Sequence, residues 1–237
     1  MIKIINLNKH FGDKTAVSIP DFCIGANEIV GIVGNNGAGK TTLFRLMLDL
    51  LKADKGEVVL HLNEKDINPA ESEEWKEHVG AFIDDTFLVN FLTPEEYFAF
   101  IAKVNNIDKA TLEERIHRYD AFFGGEVLGQ GKLIRDFSAG NKQKIGIIGA
   151  MINNPQLLAL DEPFNFLDPS SQNQLKRLLK EYNEETGATI LVSSHNLQHT
   201  IEISTHIALM ENGEIIKYIG NENMAAEKEL QDYFSKK

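Results

Sequence analysis

The stretch "GIVGNNGAGKTTLFRLMLDLL" constrains this chain more than any other. It sets Gly34-x-x-x-x-Gly39-Lys40-Thr41 between an apolar strand pattern and a helical one. Glycines let the backbone turn so that the N–H groups of Gly34, Asn35, Asn36, Gly37, Ala38 and Gly39 point inward. Such a loop cradles phosphate oxygens, and the helix N-terminus behind it adds its positive end. Lys40 is placed to reach the β- and γ-phosphates, the Thr41 hydroxyl to ligate Mg2+, and Thr42 to complete the contacts at the helix start.

Kinases, GTPases and motor ATPases share such a loop, so the reaction must be read elsewhere. In "QLLALDEP" an apolar strand ends in Asp161 and Glu162. Paired acids at the end of a buried strand are costly unless a cation or hydrogen bonds compensate them. Asp161 is placed to hold the Mg2+ shell, and Glu162, on the other side of the strand, to accept a proton from an attacking water. A third apolar run, "TILVSSHN", ends in Ser193, Ser194 and His195. A histidine there can hydrogen-bond a phosphate oxygen and sense its presence.

Short β-rich runs alternate with longer helical patterns, which predicts an α/β fold. "EIVGIVG", "HVGAFID", "LLALDEP" and "TILVSSH" are nearly continuous apolar segments, as in strands buried on both faces of a mostly parallel sheet flanked by helices. "KIINLNKHFG", "KTAVSIPDFCI" and "GEVVLHL" alternate, predicting an antiparallel β edge subdomain. "HIALMENGEIIKYIG" is expected to be a hairpin turning at Asn212-Gly213. The section 84–154 reads as a helical insertion between a core formed by 1–83 and 155–237. In it, Thr93, Pro94 and Glu96 form a capping box with proline at the first helical position, and "ATLEERIHRYDAFFGG" is expected to be one amphipathic helix. Cys23, the single cysteine, lies in the apolar run "FCI", where core packing is expected, as it is for Trp75.

These motifs together resemble the ATP-binding subunits of ABC (ATP-binding cassette) transporters, and the resemblance runs along essentially the whole chain. It implies a P-loop NTPase core, a cofactor set of ATP and Mg2+, and a head-to-tail homodimer or heterodimer. Each ATP would lie between the phosphate loop of one subunit and the signature motif of the other. Phe11, in "KHFGDKTAV", matches the aromatic position that stacks on adenine, and also reads as a plain strand-end phenylalanine. "FSAGNKQK" aligns with the signature, usually Leu-Ser-Gly-Gly-Gln: Ser138 and Gly140 are kept, while Phe137, Ala139 and Asn141 depart. Ser138 also reads as a plain helix N-cap, and Lys142 and Lys144 as the solvated face of that helix. Where the family usually has a glutamine contacting Mg2+ and the attacking water, this chain has Asp84, followed by Asp85. A carboxylate is a hard ligand for Mg2+, and an acidic residue here resembles the branch that works with separate exporter-type membrane subunits; Asp84 and Asp85 also read as a solvated loop pair. Asp168, in "NFLDPSSQ", matches the position that faces the other subunit, and is also a good N-cap.

The resemblance implies an ATPase that energises a separate transmembrane permease from the cytoplasmic face of the membrane. Cargo direction is expected to be export, with docking through "DDTFLVNFLTPEEYFAF" and its Phe87 and Phe91. No run approaches a membrane span, so no direct insertion is expected. A net charge of −11 weighs against nucleic acid as a partner, because phosphate neutralisation needs a basic footprint. The alternatives are a nucleotide-dependent switch with little hydrolysis and a soluble ABC-type ATPase acting on nucleic acid.

Overall fold

Two sheets organise the chain. The computed structural model describes residues 1–222 and 225–235, so the range 155–237 assigned above includes 223, 224, 236 and 237, which lie outside the described residues. In chain order the strands are β1 (Ile2–Phe11), β2 (Lys14–Ile24), β3 (Ile29–Val33), β4 (Lys55–Leu62), β5 (Lys65–Ile67), β6 (Val79–Phe82), β7 (Leu157–Leu160), β8 (Thr189–Ser194), β9 (His206–Glu211) and β10 (Glu214–Gly220). The helices are α1 (Lys40–Met47), α2 (Pro94–Val104), α3 (Lys109–His117), α4 (Asp120–Phe123), α5 (Ala139–Met151), α6 (Pro169–Thr186), α7 (Leu197–Ile203) and α8 (Ala226–Ser235).

The alternating N-terminal runs form an antiparallel sheet of order β2-β1-β4-β5. The apolar runs form the second sheet, of order β10-β9-β3-β8-β7-β6. It is parallel from β9 to β6, with β10 antiparallel at its edge. Every residue of β3, β7 and β8 is buried, as strands covered on both faces require. Register sets the site: Val33 lies level with Ser194, and Leu160 with Val192. The chain therefore leaves β3, β7 and β8 at the same edge, the carboxyl end where open α/β sheets place ligands.

Alternate residues of one strand feed the two faces. Leu158 and Leu160 of β7 join Phe98, Phe123 and Ile148, whereas Leu157 and Ala159 join Ile4, Phe44 and Leu60 beneath α1. Each fully buried side chain of this size contributes about 1.5–3 kcal/mol relative to exposure. The hairpin β9–β10 turns at Asn212 (φ 50°) and Gly213 (φ 86°), the positive pair of a type I′ turn.

The insertion lies between β6 and β7 and is mostly helical. Thr93 and Glu96 form the expected capping box at the start of α2, with Pro94 at its first position. The expected single helix over "ATLEERIHRYDAFFGG" is instead broken into α3 and α4. The reason is burial: α3 buries only Leu112, and redirecting the chain at Arg118 and Tyr119 puts Tyr119, Phe122 and Phe123 inside. Helix α5 packs closely on β6. A methyl group added at Gly146 would lie 2.1 Å from the Phe82 ring, and one at Gly80 1.8 Å from the Ala150 carbonyl oxygen. The core is therefore continuous from the sheet into the insertion, with Phe82, Leu160 and Ile190 in one cluster with Phe98, Phe123 and Ile148.

Two expectations are corrected. Cys23 is exposed, because strand alternation turns its neighbour Ile24 inward and Cys23 outward. Lys144 is not on a solvated face: it is buried, with Nζ 5.7 Å from the centre of the Phe122 ring. Its long stem packs in the core while its charge meets an aromatic face. Trp75 is buried, as expected.

Candidate functional site: a phosphate loop beside a buried carboxylate

The loop after β3 turns at Gly37 (φ 84°) and Gly39 (φ 108°), conformations that favour glycine. Gly39 stands at the N-cap of α1 without a side-chain cap, so nothing competes for the first amides of that helix. Lys40 is buried and folds back over the loop. Its Nζ donates to the Gly34 carbonyl at 2.7 Å and the Asn35 carbonyl at 3.3 Å, and lies 3.6 Å from Glu162 Oε1. An open cleft of about 300 Å³ brings together Phe11, Asn36, Gly37, Gly39, Lys40, Thr41, Thr42 and Glu162. Phe11 is exposed at its edge, with Lys9 Nζ 5.7 Å from the ring centre.

Asp161 is buried at the end of β7, its N–H donating to the Phe82 carbonyl at 2.9 Å. Burial pushes its carboxyl above the ordinary range, and hydrogen bonds from the Ser193 and Thr41 hydroxyls only partly offset this. Ser193 serves two neighbours: its hydroxyl donates to Asp161 Oδ1 and accepts the Glu162 N–H at 2.8 Å. Glu162 adopts φ 47° and turns its carboxylate between the Lys40 ammonium and the His195 imidazole. Oε1 faces Lys40, and Oε2 lies 2.8 Å from His195 Nδ1 and 3.3 Å from the His195 N–H that donates to it. The structure thus gathers Lys40, Thr41, Asp161, Glu162 and His195, as their motifs predict. Ser193 and Gln143, whose Nε2 donates to the Glu162 carbonyl at 3.3 Å, carry no site signal in isolation. Ser193 shows only as a polar residue at the end of an apolar strand, and Gln143 as one polar residue between two lysines.

Asp84 has other partners. It caps the turn Asp85–Phe87, accepting the Thr86 N–H at 2.9 Å and the Thr86 hydroxyl, and pairs with Arg45 at 3.1 Å. Burial would raise its carboxyl, but these bonds outweigh that and hold it below the ordinary value. Arg45 is a partner that the sequence pattern alone does not indicate.

The signature residues lie outside the cleft. Ser138 caps α5, accepting the Asn141 N–H at 3.3 Å, and with Ala139 it is exposed; Gly140 backs onto the Phe166 carbonyl. Asp168 caps α6 through the Ser170 and Ser171 N–H groups. The Ser171 hydroxyl leads in holding its carboxyl below the ordinary value.

These donors fit an Mg-bound nucleotide. Asp161 and Thr41 are adjacent hard oxygen ligands, and a buried carboxylate without a full cationic partner suits a divalent ion. The glycine loop and Lys40 fit the phosphates. The family model described as "ABC transporter" matches residues 17–165.

This chain belongs to the ABC transporter family.

It is 33% identical over 227 residues to the methionine import ATP-binding protein MetN 1 of Oceanobacillus iheyensis, covering 92% of this chain and 65% of that protein. It is 32% identical to the bacitracin transport ATP-binding protein BcrA of Enterococcus faecalis, covering 92% of this chain and 69% of that one. The lantibiotic transport ATP-binding protein SrtF of Streptococcus pyogenes is 28% identical, with 94% of each chain covered. In fold, an ATP-binding subunit of an ABC transporter superposes with TM-score 0.82 at 23% identity, covering 97% of this chain and 94% of that chain. A dimeric cassette bound to ADP and Pi superposes with TM-score 0.80 at 23% identity, covering 93% and 99%. The family's cassette domain binds and hydrolyses ATP and requires Mg2+. Among the described residues of this cassette, no helix is long and apolar enough to cross a membrane.

Proposed function

We propose that this cassette uses ATP hydrolysis to drive a separate transmembrane permease, and that the cargo moves outward. The observation that carries the hydrolytic reading is the setting of Glu162, between Lys40 and His195 at the mouth of the cleft. Lys40 and the loop amides hold the phosphates, and Thr41 and Asp161 hold the metal. Mg2+ held by these two residues would neutralise phosphate charge. Glu162 accepts a proton from the attacking water as the water oxygen bonds to the γ-phosphorus and the bond from that phosphorus to the bridging oxygen breaks, releasing ADP and phosphate. His195, beside Glu162, hydrogen-bonds a phosphate oxygen through a ring N–H. Phe11 stacks on the adenine. Ser138, Gly140 and Asn141 are presented at an exposed helix start, a position from which they complete the site of a second copy. Asp168 supports the same interface. Asp84 orders the entry to the insertion through Arg45.

Replacing Glu162 with Gln keeps shape and removes the base. Phosphate release from Mg·ATP should fall by about 10²- to 10⁴-fold while ATP still binds. Equal rates for the two proteins would instead favour a nucleotide switch that scarcely hydrolyses.

Outward transport is supported by the acidic Asp84-Asp85 pair and by the similarity to the bacitracin and lantibiotic transport proteins. Deleting the chain from its host should lower tolerance to bacitracin or a lantibiotic and leave methionine uptake intact. Loss of methionine uptake alone would mean import.

A further inference from the structure

Glu162 sits in the left-handed backbone region, which residues with a side chain rarely occupy unless their surroundings enforce it. Its peptide groups show what enforces it. On one side the N–H donates to Ser193 Oγ on β8 at 2.8 Å. On the other the carbonyl accepts the Asn165 N–H at 3.1 Å and Gln143 Nε2 at 3.3 Å. Gln143 is 7% exposed and belongs to α5, whose N-cap is the exposed Ser138. A second amide restrains the same turn from α6, with Gln172 Nε2 donating to the Phe164 carbonyl at 3.1 Å.

We propose that Gln143 is a positioning residue for hydrolysis, tying the signature end of α5 to the backbone of Glu162. The proposal rests on Glu162 acting as the base. A shift of α5 moves the Gln143 amide. The strained Glu162 peptide then rotates, carrying its carboxylate out of register with Lys40 and His195. Contact between a second molecule and Ser138 in one site is thereby felt at Glu162 in the other. Losing one donor leaves the phosphate cradle untouched, because Gln143 bonds neither the loop nor Thr41. Displacement of a reacting group by a fraction of its contact distance lowers turnover more than binding.

The test uses the full chain with Mg·ATP and phosphate release as readout. Gln143→Met keeps length and removes the donor. Its kcat should fall about three- to tenfold, as expected for one hydrogen bond, with KM for ATP within about twofold. Gln143→Glu keeps the shape but donates only when protonated, so its kcat relative to wild type should rise as pH is lowered. A packing role alone gives no such trend. Thermal unfolding verifies that both variants are folded at the assay temperature. Unchanged kcat in Gln143→Met, a loss carried by KM, or a flat pH ratio in Gln143→Glu overturns the proposal. Glu162→Gln, run in parallel, separates the two claims. If it retains full turnover, the base assignment fails. If it is inactive while Gln143→Met is fully active, only the positioning role fails.

Discussion

Asp161 and Glu162 are neighbours with opposite electrostatic settings. Glu162 faces the Lys40 ammonium and the His195 imidazole, whereas Asp161 is buried with two hydroxyls and its carboxyl is raised. The native Asp161 therefore holds its proton more tightly than the unfolded chain, whose value is 3.8. Between that value and the raised one the folded state binds more protons, so this group's stabilisation is complete at lower pH and is lost as pH rises through the window. Magnesium reverses the trend, because the ion competes with that proton. Thermal unfolding across this window should show an Mg2+-dependent rise in Tm that grows with pH. The growth should vanish in Asp161→Asn; an unchanged profile in that variant would refute the assignment. Lys40, Thr41, Asp161 and His195 were legible in the sequence because each sits at a fixed distance from glycines or at the end of an apolar run. Ser193 as a bridge, and Arg45 as the partner of Asp84, were not. Each depends on which strand or helix ends beside which, and no local spacing encodes that.

At the scale of elements, caps and alternation predict well and helix continuity predicts less well. Thr93, Ser138 and Asp168 begin α2, α5 and α6 as their side chains dictate. The break between α3 and α4 is a tertiary effect, since three aromatic residues find the core only if the chain changes direction. The close approach of α5 to β6 supplies a sharp prediction. Gly146→Ala forces the Phe82 ring to move, and overpacking of this kind costs about 1–3 kcal/mol. Chemical denaturation should show that loss as a lower midpoint. A midpoint equal to wild type would mean that the ring has room to turn.

In the whole molecule the phosphate cleft and the exposed signature end are separate, so the composite site proposed above requires a second copy. Lys40→Ala disables the loop and Ser138→Arg the signature, so each variant alone should release no phosphate. Mixed, they can form a dimer with one intact site, and activity should return. Inactivity across all mixing ratios would argue against composite sites. The insertion also exposes Phe87, Phe91, Phe100 and Val104, an apolar set that suits a permease. Phe91→Asp should abolish transport in the reconstituted complex and leave phosphate release by the isolated chain within about twofold. Transport at the wild-type level would place the docking surface elsewhere.

The continuity of the core from the sheet into α5 also bears on interchange of parts. Cutting at 84 and 154 would carry away a helix whose glycine face is moulded to β6. A graft that exchanges only residues 85–136 keeps Asp84 with Arg45, and the signature from Phe137 onward, α5 and Gln143 with their own sheet. Permease choice could then be transplanted between relatives without disturbing the chemistry that powers it.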